Sequence, residues 1–279
     1  MRYSTPYAVV RKEDRTSIKK KRRSFISVEI QRTAERMYPC SQRLHTAMLE
    51  FVITQMHKHQ TSPLIVGMQG IQGCGKSHSA EKLRTMLSEE GARAAVFSID
   101  DFYLPRHSMG DAIRGRPGTH DTELLKSVLS SLRRGEFPVY VPVYDKTGHD
   151  GKGDRSSQYV TIDEAVQVVI VEGWCIGFRP IVDPPIAMLE VNAHLHEYDT
   201  IFKENLDCLV VLVAPAHFAC EWRERAEANM RLRTGKGMTT EMVREFVAHY
   251  QPVYDVYLEK LQSSSYMTDT LHLELDVNQ

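Results

Sequence analysis

Three glycines, a lysine and a serine fall within eight consecutive residues, at a spacing that could hold phosphate groups. The segment matches G-x-x-x-x-G-K-[ST] without a mismatch. Glycines let backbone N–H groups turn inward around phosphates, the lysine reaches the β- and γ-phosphates, and the serine hydroxyl ligates Mg²⁺. We therefore expect ATP and Mg²⁺ to bind along this segment, which reads Gly70-Ile71-Gln72-Gly73-Cys74-Gly75-Lys76-Ser77.

Acidic residues follow two apolar runs that are typical of buried strands. Asp100 and Asp101 come at the end of the run 94–99, and Glu172 follows the run 166–171. The carboxyl ends of parallel strands meet at the sheet edge where phosphates bind. One aspartate can therefore act as general base toward an attacking hydroxyl, and Glu172 is suited to hold Mg²⁺ directly or through water. Alternatively, the aspartates are solvated turn residues and Glu172 is a charge at a strand end.

These and further motifs resemble the plant-type D-glycerate 3-kinases, over about residues 65–262. Beside the phosphate motif, the matching segments are SIDDFYL at 98–104, GRPGTHD at 115–121, VPVYDK at 141–146, GKGDR at 151–155 and VEGW at 171–174. Further matches are Gly177, Phe178, Asn192, Tyr198, Trp222, Arg223, Ala226, Glu227, Met230, Arg231, Gly237, Met238, Phe246, Val247, Tyr250, Pro252 and Tyr254. Fungal ATP-dependent kinases share this set, and uridine kinase, pantothenate kinase and phosphoribulokinase are distantly similar.

The resemblance implies an ATP-dependent kinase that phosphorylates a hydroxyl of a small acid, D-glycerate above all. It implies that Asp100, the first aspartate of an Asp-x-Phe-Tyr pattern, is the general base. It also implies that Glu172 is linked to magnesium, in agreement with the interpretation from the residues alone. The first 60 residues lie outside the resemblance.

Positive charge is concentrated in two predicted loops, at Arg114, Arg116, His120, Lys146, Lys152 and Arg155. Such a cluster suits a small carboxylate or phosphate, and arginine binds carboxylates in a bidentate manner. We expect the acceptor to be bound by Tyr103, Arg116, His120, Tyr144, Lys146, Arg155 and Trp174. The alternative is that the loop charges serve solubility and that the aromatic residues belong to the core.

A predicted helix with several arginines ends at a glycine-containing turn, residues 235–237. Arg223, Arg231 and Arg233 lie on or just after this helix. The pattern indicates a lid that closes over ATP and excludes water, with Arg223 and Arg231 supplying positive charge to the transition state. The alternative is a helix whose arginines are simply solvated.

Buried strands alternate with helices along the chain, which predicts an α/β P-loop NTPase fold. The fold would have a mostly parallel central sheet, helices on both faces and a helical lid. Strands are predicted at 64–68, 94–99, 166–171, 209–213 and 271–275, helices at 77–90, 121–134, 217–233 and 239–261, and loops at 104–120 and 145–157. The expected domains are a basic flexible tail at 1–25, N-terminal helices at 26–60 and a kinase domain at 61–279.

The composition excludes several classes of protein. The formal net charge of −1 argues neither for nucleic acid nor for an anionic membrane as a partner, and neither is expected. No apolar run is long enough to span a membrane, and the five cysteines are scattered without CxxC spacing. A cytoplasmic location is therefore expected, or also a nuclear one if the basic run 19–23 is an import signal. The sequence has no N-K-x-D guanine signature, which counts against a GTPase switch. It has no DEAD-like acidic tetrad, which counts against a nucleic-acid motor.

Two alternatives to a glycerate kinase stay open from the sequence. One is a kinase for a nucleoside or a pantothenate-like acceptor. The other is a nucleotide-dependent regulatory protein, which the complete set of Lys76, Ser77, Asp100 and Glu172 disfavours.

Two further expectations concern single residue types. Cys74 is expected to be the most reactive of the five thiols, because the loop N–H groups, the helix dipole and Lys76 favour a thiolate. The alternative is that Cys74 only fills the turn. His194 and His196 lie in a stretch predicted to be irregular, and no metal site is expected there.

Overall fold

Five parallel strands form the central sheet of the protein. The structure is a computed structural model that describes residues 42–110, 112, 114–146, 153–235, 237–264 and 266–276. Its strands are β1 Leu64–Gly70, β2 Ala94–Ser98, β3 Val139–Asp145, β4 Asp154–Ile162, β5 Val168–Gly173, β6 Cys208–Val213 and β7 Thr270–Glu274. The central sheet has the order β2-β5-β1-β6-β7, and every neighbouring pair in it is parallel. The five predicted strands are thus confirmed within two residues at each end.

Apolar runs form the middle of this sheet because both of its faces are covered. Every residue of β1 and β5 is buried, although successive side chains point to opposite faces. Helices must therefore pack on both sides, as predicted for a parallel sheet. The central strands consequently read as nearly continuous Val, Ile and Leu rather than as alternating patterns.

Seven helices are described. They are α1 Gln42–Lys58, α2 Lys76–Glu89, α3 Arg106–Met109, α4 Thr122–Arg134, α5 Leu189–Asn205, α6 Phe218–Thr234 and α7 Thr240–Ala248, followed by the helical turns Gln251–Val253, Tyr254–Leu258 and Glu259–Ser263. The ends of α4, which follows a loop of the site, are set by the residues at those ends. The Asp121 side chain accepts the Leu124 N–H and starts α4, and Gly135, at a φ of 69°, ends it.

The structure differs from the sequence prediction in a hairpin beside the sheet. Strands β3 and β4 pair in an antiparallel ribbon, and β3 lies against the turn Ile99–Phe102. Residues 154–157, predicted as loop, begin β4. Because most of β4 is exposed, its sequence lacks the apolar alternation that marks a strand. The hairpin supplies residues to the edge of the sheet where β2 ends.

Two helical predictions were also inaccurate. The single helix predicted at 239–261 is interrupted after α7, and the chain becomes helical again at Gln251 with Pro252 in its first turn. Proline lacks the N–H that an uninterrupted helix would require. His194 and His196 lie within α5 rather than in an irregular stretch.

The N-terminal predictions are only partly covered by the structure. Helix α1 lies within the segment predicted to be helical and packs on α2 and β7. The tail at 1–25, the basic run 19–23 and the helical residues before 42 lie outside the described residues. No described helix is both long enough and apolar enough to cross a bilayer.

Candidate active site

Strand register brings the phosphate loop and both acidic segments to one edge of the sheet. Glu172 on β5 is aligned with Met68 on β1 and with Ser98 on β2. The phosphate motif begins two residues beyond Met68, and Asp100 lies two residues beyond Ser98. Because the strands are parallel, these chain segments all leave the sheet at its carboxyl edge.

The phosphate loop makes a tight turn between β1 and α2. Gly73 and Gly75 have φ angles of 77° and 92°, which glycine adopts without the strain that a side chain would cause. A Cβ on Gly73 would clash with the backbone of Trp222, so α6 packs directly on the loop. The Gln72 N–H donates to the hydroxyl of Tyr254 at 3.0 Å. The loop is therefore shaped by its glycines and held by two other elements.

The start of α2 fits a bound triphosphate. Within the described part of the chain no side chain caps this helix, so its first N–H groups can bind an anion. The Nζ of Lys76 donates to the carbonyl of Ile71 at 3.1 Å, which places the ammonium over the loop. A backbone cradle with a lysine beside it is the chemistry that the phosphates of ATP require.

Ser77 and Glu172 join the phosphate loop to β5. The Ser77 hydroxyl donates to Oε1 of Glu172 at 2.6 Å, and Glu172 is buried. Mg²⁺ prefers oxygen ligands and usually takes one or two from a protein and the rest from phosphates and water. Among the described residues, no cluster of three or more His, Cys, Asp or Glu could hold a metal. The pair thus fits a magnesium ion bound together with a nucleotide.

Asp100 lies in the single helical turn Ile99–Phe102 that follows β2. Its Oδ1 accepts a hydrogen bond from the Tyr103 hydroxyl, and its Oδ2 accepts one from the Lys146 ammonium, each at 2.7 Å. Burial raises the pKa of Asp100, but the charge of Lys146 and these hydrogen bonds outweigh it and hold the pKa well below its ordinary value. Asp100 is therefore ionised and oriented, as a general base must be.

Asp101 has a different environment from its neighbour. Its Oδ2 accepts the Ser98 N–H at 3.1 Å, and the Ser98 hydroxyl accepts the Asp100 N–H at 3.2 Å. This reciprocal capping fixes the turn that carries Asp100. Burial is the main cause that raises the pKa of Asp101.

Buried aromatic rings surround Asp100. The Tyr103 ring centroid lies 4.5 Å from that of His120 and 5.0 Å from that of Tyr144. The Nδ1 of His120 is 2.6 Å from the hydroxyl of Tyr198, and burial lowers the pKa of His120 to about 4. Its Nε2 has no hydrogen-bond partner among the described residues. A buried imidazole nitrogen without a partner is a candidate contact for an acceptor molecule.

The side chain of Arg155 is held by hydrogen bonds to the turn that carries Asp100 and to Asp121. Its guanidinium donates to the carbonyls of Tyr103 and Phe102 at 3.0 and 3.1 Å, and to the carboxylate of Asp121 at 3.0 Å. All three guanidinium nitrogens thus have protein acceptors. Arg155 holds the ends of two segments together, and its predicted contact with the acceptor stays a prediction.

Trp174 supports the loop before α4. Its indole N–H donates to the carbonyl of Gly115 at 2.8 Å, and its ring packs against Tyr250 and Tyr254. Arg116, in the same loop, is half-buried, and its Nε has no hydrogen-bond partner among the described residues. Arg116 is therefore better placed than Trp174 to contact a ligand. Lys152 lies outside the described residues.

Helix α6 carries the arginines of the predicted lid. Arg223 pairs with Glu227, which is buried and also accepts the Met238 N–H at 3.1 Å. Arg231 donates to the carbonyl of Met238. Glu227 and Arg231 therefore tie the turn after α6 to the helix, and Arg223 neutralises the buried Glu227. The side chain of Arg233 lies outside the described residues.

Phe246 and Tyr250 match the family pattern in the sequence but were not among the expected site residues. The guanidinium carbons of Arg114 and Arg223 lie 5.7 and 5.8 Å from the Phe246 ring centroid. Tyr250 donates from its hydroxyl to the carbonyl of Arg114. These aromatic residues connect the helices after α6 to the loop before α4, which carries Arg114. Their periodicity alone does not distinguish them from ordinary core positions of an amphipathic helix, and only the match to the family pattern marked them.

The structure contradicts the expectation of a reactive Cys74. Its side chain is fully buried, and a Cβ on Gly70 would contact its sulfur. Burial raises the pKa of the thiol and outweighs the opposing effect of Lys76. Cys74 therefore fills the turn, which is the alternative that the sequence left open.

One family model, described as "Methylmalonyl Co-A mutase-associated GTPase MeaB", matches residues 33–135. The match includes the phosphate loop and Asp100 but covers less than half of the chain and ends before Glu172.

Other relatives match over most of the chain, and their names describe kinases. The "Uncharacterized kinase mug58" of Schizosaccharomyces pombe is 33% identical over 79% of this chain and 91% of its own length. The chloroplastic D-glycerate 3-kinase of Arabidopsis thaliana is 32% identical over 71% of this chain. The matched region covers 48% of the length of the plant protein. The solved structure of D-glycerate 3-kinase from Cryptococcus neoformans var. grubii has a TM-score of 0.74 at 28% identity, covering 84% of this chain and 96% of that one.

Proposed function

The chain belongs to the P-loop kinase family of mug58 and the D-glycerate 3-kinases, and we propose that it transfers the γ-phosphoryl group of ATP to D-glycerate. The observation that carries this proposal is the convergence of three parts at one sheet edge. They are the phosphate loop with Lys76, the Ser77–Glu172 pair and the oriented carboxylate of Asp100. A protein that only sensed a nucleotide would not need the oriented base.

In the proposed reaction, Asp100 accepts the proton of the acceptor hydroxyl while the oxygen of that hydroxyl bonds to the γ-phosphorus. The bond from that phosphorus to the β–γ bridging oxygen breaks, and ADP leaves. Lys76 holds the migrating phosphoryl group, and Mg²⁺ at Ser77 and Glu172 would neutralise phosphate charge. The backbone of Arg223 packs beside the phosphate loop. Its guanidinium pairs with Glu227 in this structure, and we propose that it supplies positive charge to the transition state when the site is filled.

A carboxylate on the acceptor suits the residues near Asp100. Lys146 is a cation in direct contact with the base, and Arg116 and His120 each have a buried nitrogen without a partner among the described residues. Such nitrogens are costly to leave unpaired, so a polar ligand that contacts either of them is favoured. Tyr103 and Tyr144 supply the walls of this region.

Helix α6 is proposed as the lid of this kinase. Arg231 fixes the turn that follows it, and Gly235 ends it at a φ of 70°. Closure would exclude water, which would otherwise compete with the acceptor for the phosphoryl group. A cytoplasmic location accompanies this proposal, since the four described cysteines are free thiols.

The test is an ADP-release assay on the purified full chain with Mg-ATP and a panel of acceptors. D-glycerate should be phosphorylated faster than glycerol, pantothenate or uridine, and ³¹P NMR should show a new phosphate monoester. Lys76→Ala should abolish transfer, whereas Lys126→Ala, on the exposed face of α4, should leave it unchanged. Turnover with pantothenate or uridine but not with D-glycerate would replace the proposed acceptor. Full activity of Lys76→Ala would overturn the kinase assignment.

A further inference from the structure

Asp100, the proposed base, and Lys146 form an ion pair in the candidate active site. Lys146 follows the end of β3, and its ammonium lies 2.7 Å from Oδ2 of Asp100. With Tyr103 on the other oxygen, each oxygen of Asp100 already accepts a hydrogen bond. The base is thus well oriented, but it is engaged by a cation.

This pairing makes Asp100 a weak proton acceptor. Proton transfer to a base is favoured when the pKa of that base lies near the working pH. Lys146 holds the pKa of Asp100 down, against the effect of burial, which raises it. Moving the ammonium away from Oδ2 would therefore make Asp100 more basic and free one of its oxygens.

The other titratable groups around Asp100 cannot relieve this pairing. They are Asp101 and Tyr103 on its own turn, His120 before α4, Cys175 after β5 and Tyr250 after α7. Burial keeps the imidazole of His120 neutral at physiological pH and raises the pKa of the thiol and of both phenols. The charge on Asp100 is therefore balanced chiefly by Lys146.

The lysine is able to exchange partners. Its side chain is 40% exposed, while that of Asp100 is 23% exposed. A lysine ammonium on a flexible, partly exposed stem can turn toward a second carboxylate without disturbing the core. A small acid that binds with its hydroxyl at Asp100 would bring its carboxylate to within reach of the same ammonium.

We propose that the carboxylate of the acceptor draws Lys146 away from Asp100 and so activates the base only when an acid is bound. This inference rests on the proposed kinase function and assigns Lys146 as the residue that makes a carboxylate a condition for turnover. Discrimination against plain alcohols would then arise in kcat as well as in binding. The proton of the hydroxyl still goes to Asp100, and no additional reactant is involved.

The inference is tested by supplying the acceptor in two pieces. Glycerol serves as the alcohol, and acetate supplies the carboxylate, with sodium chloride at equal ionic strength as the control. Acetate should raise kcat for glycerol by about tenfold or more in the unmodified protein, which is part of the roughly 10²–10⁴-fold that a positioned base supplies. The increase should be absent in Lys146→Gln. Lys58→Gln removes a similarly exposed lysine paired with Asp269, far from the site, and should respond like the unmodified protein.

Two further measurements separate this role from a structural one. In Lys146→Gln the ratio of kcat/KM for D-glycerate to that for glycerol should fall by about tenfold or more. The acid limb of its kcat/KM profile should also move to higher pH, because the charge of Lys146, the main opponent of the effect of burial on the pKa of Asp100, is gone. A merely distorted site would lose rate without moving that limb.

Failure of the inference about Lys146 can be distinguished from failure of the proposed kinase function. If D-glycerate is phosphorylated but acetate has no effect and Lys146→Gln keeps its selectivity and its acid limb, only this inference is overturned. If no acid is phosphorylated by the unmodified protein, the proposed function fails and the inference with it.

Discussion

The hydroxyl of Tyr103 donates a hydrogen bond of 2.7 Å to Oδ1 of Asp100, three residues before it in the chain. The phenol is buried and its ring is packed between His120 and Tyr144, so its position is set by the surrounding core. The orientation of the base is thereby coupled to residues from two other segments. Substitutions around Asp100 are expected to separate into those that remove chemistry and those that loosen this support.

Asp100→Asn should bind ATP normally and lower kcat by roughly two or more orders of magnitude, the range that a positioned general base supplies. An amide cannot accept the proton of the acceptor hydroxyl. Steady-state kinetics and ATP titration by calorimetry measure the two effects separately. A variant that retains kcat would show that another group is the base.

Asp101→Asn is the matched variant and should affect stability more than chemistry. Its carboxylate caps the turn through the Ser98 N–H, and an asparagine keeps only one of the two acceptor oxygens. Loss of such a cap costs about 0.5–2 kcal/mol of unfolding free energy. Chemical denaturation should detect this loss while kcat falls less than in Asp100→Asn. The reverse order of kcat values would exchange the roles of the two aspartates.

Arg155→Lys should lower Tm and reduce kcat with little change in KM for the acceptor. A lysine cannot donate at once to two carbonyls and to Asp121, so the turn that carries Asp100 would lose its support. Thermal unfolding and kinetics on the same preparation test this. A large rise in KM with unchanged Tm would instead support the contact with the acceptor predicted from the sequence.

His120 should make the protein less stable in mild acid. Its pKa is about 4 in the folded protein, against 6.5 for an ordinary histidine, so the unfolded chain binds the proton first as pH falls. Between pH 7.5 and pH 5 this linkage removes about 2 kcal/mol of unfolding free energy. His120→Gln should show a correspondingly smaller loss in urea unfolding at the two pH values. His196→Gln, at an exposed position, should lose as much as the unmodified protein, and an equal loss in both variants would contradict the prediction.

Cys220 should be the first of the four described cysteines to react with an alkylating reagent. It is partly exposed, whereas Cys74, Cys175 and Cys208 are buried. The pKa of all four thiols is raised, first of all by burial, so access to the reagent decides the order. Mass spectrometry after brief alkylation, with and without Mg-ATP, measures the order of labelling. Rapid labelling of Cys74 that ATP prevents would restore the prediction made from the sequence.

The phosphate loop, the parallel sheet and the acidic strand ends could be predicted because each depends on a contiguous segment. The motif around Lys76 requires only a strand before it and a helix after it. Buried strands are apolar on both faces, which makes them visible without knowledge of their partners. Parallel register then places Asp100 and Glu172 at one edge. Strand β4 of the hairpin was missed because most of it is exposed, and an exposed strand lacks the apolar pattern that marks a buried one.

The state of each side chain at the site was decided only by tertiary structure. Lys146 meets Asp100 across 46 residues of chain. Arg155 turns toward backbone carbonyls rather than into the site, and the Cys74 sulfur is buried although its loop N–H groups favour a thiolate. Burial and charge pairing depend on which distant segments pack together, and these two effects set the pKa and the direction of a side chain. Local spacing specifies which chemical groups are present, while long-range packing determines which of them are available to react.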